Sequence, residues 1–236
     1  MAFVKGLTSK PVVSVGRFTS PDRMVSQIRR GVQDFIGAAR PSIADPFLPA
    51  KIRDGREDEI RECIGCNICR AANNEGVGLR CTQNPTMGEE WRRGWHPERI
   101  ALHPKREKAL VIGGGPAGLE AALTLARRGL EVSLAEASDR FGGRLLREAT
   151  LPGLQTWLRV RDWRLHMMSK LPNAQLFPAS RMSAADVAEF GADHVVLASG
   201  SHWRRDGVGV TAMRHLSLPD ALTPDDVFAG AKVHGP

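Results

Sequence analysis

The stretch Ala109-Leu110-Val111-Ile112-Gly113-Gly114-Gly115-Pro116-Ala117-Gly118 decides the fold class of the chain. Four apolar residues in a row predict a buried strand, and the glycines that follow predict a tight turn into a helix over Leu119 to Arg128. Gly129 then ends the helix, and a second strand is expected over Glu131 to Ala135, followed by Glu136. Strand, glycine turn, helix, strand and acid in that order form a dinucleotide-binding unit. Gly113 permits the turn, Gly115 lets a pyrophosphate approach the backbone, and Gly118 lets helix and strand pack closely. The helix start at Pro116 and Ala117 offers partial positive charge and, from Ala117 onward, free N–H groups to that phosphate. Glu136 is placed to accept hydrogen bonds from an adenosine ribose with a free 2′-OH. A glycine-rich turn without a ligand is the alternative.

Downstream, Ser138-Asp139-Arg140-Phe141-Gly142-Gly143-Arg144 suits a loop closing over a flavin-type dinucleotide, which adds Gly143 and Arg144 to the candidate cofactor-binding residues. Ala192 to Gly200 reads as a strand returning to the same crevice, an arrangement typical of two-dinucleotide flavoproteins. A turn or helix start is expected at Thr223-Pro224-Asp225-Asp226.

Upstream, all four cysteines of the chain fall in one pattern, Cys63, Cys66, Cys69 and Cys81, spaced C-x2-C-x2-C-x11-C. Three thiolates two residues apart face a common point only if the backbone wraps tightly, and Gly65 removes a side chain where it does. Structural zinc also takes four cysteines, usually as two separated C-x2-C knuckles rather than three bunched ligands and one remote. The spacing favours an iron–sulfur cluster, [4Fe-4S] ahead of [2Fe-2S]. The stretch from Thr82 to Glu98 is polar and turn-rich and reads as a packed, irregular loop. His96, before a proline, reads as a structural hydrogen-bond donor, without a catalytic role.

The segment before the cysteines reads as one β-α-β unit. Pro11 to Val15 is a short strand, Ser20 an N-cap with Pro21 at the first helical position, and Met24, Val25 and Ile28 the apolar side of a helix closed by Gly31. A second strand is expected at Asp34 to Ala38. Each strand is followed by a small residue and an arginine, Gly16-Arg17 and Ala39-Arg40. Loops after the last two strands of a (β/α)8 barrel form a common phosphate site with this chemistry. Two surface arginines at strand ends are the plainer reading.

Composition excludes few classes. The 236 residues are 42% hydrophobic and 25% charged, those of a packed protein. No apolar run approaches a bilayer span, and residues 1–15 lack an h-region with a cleavage site, so a cytoplasmic location is expected. The net charge of +7 raises the question of nucleic acid, but basic residues are scattered among acids and no such motif is present.

With cluster motif, glycine motif and arginine pair in this order, the chain resembles the trimethylamine dehydrogenase branch of the old-yellow-enzyme-like flavoproteins. That branch includes dimethylamine, histamine and N-methylproline or dimethylglycine demethylating enzymes. The resemblance is carried by Gly16-Arg17, Ala39 to Pro46, the cysteine module through Glu98, Gly113 to Gly118, and Gly200 to Gly207. It implies an FMN barrel remnant over residues 1–58, a [4Fe-4S] module over 59–104 and a Rossmann-like domain for FAD or ADP over 105–236. By similarity, Gly16, Arg17, Ala39 and Arg40 touch the FMN phosphate, and Cys63, Cys66, Cys69 and Cys81 ligate the cluster. In such enzymes an amine is oxidised at FMN and electrons leave singly, through the cluster, to an electron-transferring flavoprotein. A complete barrel takes about 250 residues, so the substrate pocket and catalytic residues are expected outside this chain, whether it is a truncated product or one subunit with a partner chain. Trp157 and Trp163 are the large aromatics available as an electron exit, and both read as core. The rival readings are an NAD(P)H-dependent 2,4-dienoyl-CoA-reductase-like enoate reductase and a non-catalytic electron-transfer subunit.

Overall fold

The computed structural model describes residues 2–206, Val208 and 221–233. Gly207 and Leu218 to Asp220, which the sequence reading touches, lie outside the described residues.

A short α1 (Ala2–Lys5) precedes the β-α-β unit of β1 (Val13–Val15), α2 (Pro21–Arg29) and β2 (Phe35–Gly37). The strands are parallel, with Val15 opposite Gly37. Ser20 caps α2 through its extended backbone, without a side-chain hydrogen bond. Of the expected apolar side, Met24 is buried against Leu48 and Ile60, while Val25 and Ile28 remain about 40% exposed. The apolar stripe of α2 is therefore wider than the surface that covers it. Two further helices, α3 (Arg40–Ala44) and α4 (Leu48–Arg53), close this unit. Lys51, 1% exposed, ties α4 to the chain around it through Asp45 at 2.7 Å and Glu98 at 2.9 Å. A buried cation of this kind is held only by paired carboxylates.

The cysteine segment contains α5 (Ile68–Asn74), which starts inside the motif and carries Cys69, where no helix was expected. Asn67 precedes it in the left-handed conformation at φ 60°, so the chain reverses between the second and third cysteines. The stretch after Cys81 is packed and mostly irregular, with one helical turn, α6 (Glu90–Arg93). Gln83 and Asn84 are almost fully buried there. His96 is structural but acts as an acceptor: its Nδ1 takes the backbone N–H of Glu98 and Arg99, and its ring stacks on Phe47.

The remaining residues build a parallel sheet of β3 (Lys108–Ile112), β4 (Glu131–Ala135), β5 (Ala174–Phe177) and β6 (His194–Leu197), in the order β5-β4-β3-β6. The expected strands are present, and β5 is additional. Between strands lie α7 (Pro116–Arg127), α8 (Leu145–Glu148), α9 (Arg159–Ser169) and α10 (Ala184–Phe190), with α11 (Pro224–Phe228) last. The core joins Ala109 and Val111 of β3, Leu119 and Leu123 of α7, Val132 and Leu134 of β4, and Trp163 and Met168 of α9. Thr223 starts α11 with a reciprocal capping box to Asp226. Among the described residues no helix is long and apolar enough to cross a membrane.

Candidate functional site

The glycine loop sits at the C-terminal end of β3, where α/β sheets bind ligands. Gly113 has φ +102°, and a Cβ there would lie 2.4 Å from the Ala198 carbonyl. A Cβ on Gly118 would lie 1.8 Å from the Gly113 oxygen, so helix and turn touch backbone to backbone. A Cβ on Gly115 meets nothing within 4 Å. The middle position is thus the open one, as a cradle for a pyrophosphate at the α7 N-terminus requires. Gly143 closes on it, since a Cβ at Gly143 would come 3.2 Å from the Gly115 Cα. Gly114 is equally tight, against Phe141 and Glu136, and the motif alone does not single it out.

Glu136 turns toward the loop. Its carboxylate accepts the Gly114 N–H at 2.6 Å and the Ser138 N–H at 2.8 Å. Burial pushes this carboxyl up, but the backbone hydrogen bonds from Ser138 and Gly114 outweigh it and hold the group below the ordinary carboxylate value. Arg144 is engaged as well: Asp225 of α11 holds its guanidinium at 3.0 and 3.1 Å, and Trp203 lies under it at 5.4 Å. An anion reaching Arg144 has to share it with Asp225, a contact that no local pattern signals because the partners are far apart in sequence.

At the other end of the chain, Gly16-Arg17 and Ala39-Arg40 emerge on the same edge of the parallel pair β1 and β2, because Val15 faces Gly37. Both arginines reach the cysteine loop. Arg17 crosses Gly65 so closely that a Cβ there would stand 1.7 Å from its Nη1. Arg40 donates from Nη1 to the Asn67 side chain at 2.6 Å. Gly65 itself has φ +75°, so the position needs glycine for its backbone and for the arginine above it. Beside Arg17 opens a cleft of about 490 Å³ whose lining includes Thr19, Arg23, Cys63 and Arg159.

The four cysteines are free thiols, each half-buried. Cys66 lies 3.1 Å from the Thr82 hydroxyl, next to Cys81 in sequence. Burial raises the Cys81 thiol above its usual 9.0, N–H groups of Asn84 and Gln83 oppose this, and the sulfurs of Cys66 and Cys63 raise it further. Mutual repulsion of this kind is what a bound cationic group relieves, and four thiolates are the donors that an iron–sulfur cluster takes. The loop packs through Ile64 and Cys66 onto Leu145, Val160 and Trp157. Trp163 is core, with Arg61 at 4.4 Å over its ring.

Sequence reasoning missed Arg164. It is 2% exposed and binds Gln83, just after Cys81, through side chain and backbone, while Glu120 of α7 holds it at 2.7 Å. A buried arginine in a helix has no local signature.

Residues 1–59 match the NADH:flavin oxidoreductase / NADH oxidase family, and residues 111–178 match an NAD(P)-binding Rossmann-like domain. Over 98% of its length the chain is 44% identical to dimethylamine dehydrogenase of Hyphomicrobium sp. (strain x). Among solved structures, 6-hydroxypseudooxynicotine amine oxidase from Pseudomonas geniculata N1 matches 97% of the chain at 57% identity and a TM-score of 0.89. Histamine dehydrogenase from Rhizobium sp. 4-9 matches 96% at 54% identity and a TM-score of 0.88. The chain spans about a third of the length of each, 33%, 35% and 33% respectively.

Proposed function

We propose that this chain, a relative of dimethylamine dehydrogenase and histamine dehydrogenase, supplies the cluster and adenine-nucleotide parts of an iron–sulfur flavoprotein that oxidises an amine. Arg17 and Arg40, with Gly16 and Ala39, bind the phosphate end of FMN. Cys63, Cys66, Cys69 and Cys81 would hold a [4Fe-4S] cluster in the loop that those arginines contact. Gly113, Gly115, Pro116, Ala117, Gly118, Glu136, Gly143 and Arg144 hold FAD or ADP. When bound, the flavin supplies the two-electron oxidation of the amine and the cluster passes electrons one at a time toward an electron-transferring flavoprotein. The chain's own work is positional. Arg17 and Asn67 fix the cysteine loop against the flavin-phosphate edge, and Ile64 seals it against α8 and α9.

The observation that carries this reading is the shared contact: both expected phosphate arginines touch the cysteine loop, Arg17 over Gly65 and Arg40 on Asn67. The test is anaerobic purification with quantitation of iron, sulfide and flavin. About four irons and four sulfides per chain, with extractable adenine nucleotide, support it. Zinc without sulfide overturns it.

A further inference from the structure

At the far end of β3 from the glycine loop, three metal-ligating side chains converge that neither the cluster nor the nucleotide uses. We propose that His103, Glu107 and His194 form a divalent-cation site suited to Zn²⁺, which clamps the link between the cysteine segment and the sheet. One donor atom from each of the three lies within 4.8 Å of the other two. Glu107 Oε2 is 2.6 Å from His194 Nε2 and 3.7 Å from His103 Nδ1. Tetrahedral zinc with bonds of ~2.1 Å separates its donors by ~3.4 Å, between those two distances, so side-chain adjustment suffices.

Three separate segments meet here. His103 lies in the link, and its backbone N–H is bound to the Arg128 carbonyl after α7. Glu107 directly precedes β3, and its backbone carbonyl accepts the Glu131 N–H that starts β4. His194 opens β6, opposite Ala109. The backbone at each ligand is therefore fixed by the sheet. His103 Nδ1, the nitrogen nearest Glu107, also lies 3.0 Å from the Lys105 carbonyl, a contact that zinc bound at that nitrogen would replace. An ordinary ion pair needs only one histidine, and here a second ring stands edge-on to the first, 6.1 Å between centroids. Two imidazoles and a carboxylate select Zn²⁺ and its neighbours over Mg²⁺ or Ca²⁺, which take oxygen ligands. With His194 the most exposed of the three, the fourth position opens to water. Because its ligands come from the link, the start of β3 and β6, an ion bound here would tie those three segments together.

The test is calorimetric titration of the purified chain with Zn²⁺ beside a His103→Ala/His194→Ala double variant, so that zinc taken by the cysteines appears in both. The wild type is expected to bind one more zinc per chain, and its melting temperature to rise with zinc more than the variant's. A Glu107→Gln variant, which keeps a side chain of the same shape, should bind that extra zinc at least about tenfold more weakly. Equal stoichiometry in wild type and double variant, or undiminished affinity in Glu107→Gln, overturns the proposal.

Discussion

Glycine at three nearby positions does three different jobs. Gly118 presses its Cα against the Gly113 carbonyl, so Gly118→Ala forces α7 off β3 and should cost about 1–3 kcal/mol, read by denaturant unfolding. Gly115 has an ordinary φ of −72° and open space, so Gly115→Ala should leave stability within ~0.5 kcal/mol yet weaken adenine-nucleotide binding at least about tenfold. The spacing of the motif assigns these roles by itself. It did not reveal Gly114, whose closeness to Phe141 arises from a loop that returns from beyond β4. Glu136 carries a pH dependence with a definite sign. Its folded-state pKa lies below the ordinary value of 4.5, so its contribution is fully present above that value and is lost as pH falls through the lower folded value. Comparing acid unfolding of the wild type with Glu136→Gln should show a stability difference that is full at pH 7 and shrinks as pH falls below about 4.5.

At the scale of elements, α9 joins the cysteine segment to the sheet. One side packs Trp163 and Met168 into the sheet core, and Arg164 reaches across to Gln83 and Glu120. Arg164→Ala leaves Glu120 and the loop after Cys81 without their buried partner, and should destabilise by about 3 kcal/mol. The accompanying readout for the proposed cluster is iron retention, expected to fall because the loop after Cys81 loosens, with Arg164→Lys recovering part of it. β3, α7, β4 and β6 were legible because each is a short apolar run or a helix bounded by glycine. Neither α9 nor β5 was, since α9 buries an arginine among its apolar residues and β5 is only Ala174–Phe177, four residues with alternating burial. The turn of α5 inside the cysteine motif was hidden for a related reason: it depends on Asn67 adopting a left-handed φ, a conformation costly enough that surrounding structure has to impose it.

For the molecule as a whole, the face of β1 and β2 that carries Val13, Val15 and Phe35 stands 58–65% exposed, although Ile36 on the opposite face packs into a small core. Apolar strand residues left open in this way favour association. Val15→Lys with Phe35→Lys should lower light scattering and hydrophobic-dye binding by the purified chain while changing its melting temperature by no more than ~2 °C. By itself, the sequence determined the parallel dinucleotide unit, the β-α-β unit and the grouping of four thiols, because each rests on neighbours a few residues apart whose spacing dictates backbone geometry. Only the tertiary structure decided that Arg17 and Arg40 meet the cysteine loop, that Asp225 occupies Arg144, that Arg164 braces Cys81's flank, and that His103, Glu107 and His194 converge. Apart from His103 and Glu107, which are close in sequence, those contacts join residues at least 27 positions apart, and local spacing carries no information about which distant side chains the packing of the sheet and its helices brings within a few ångströms.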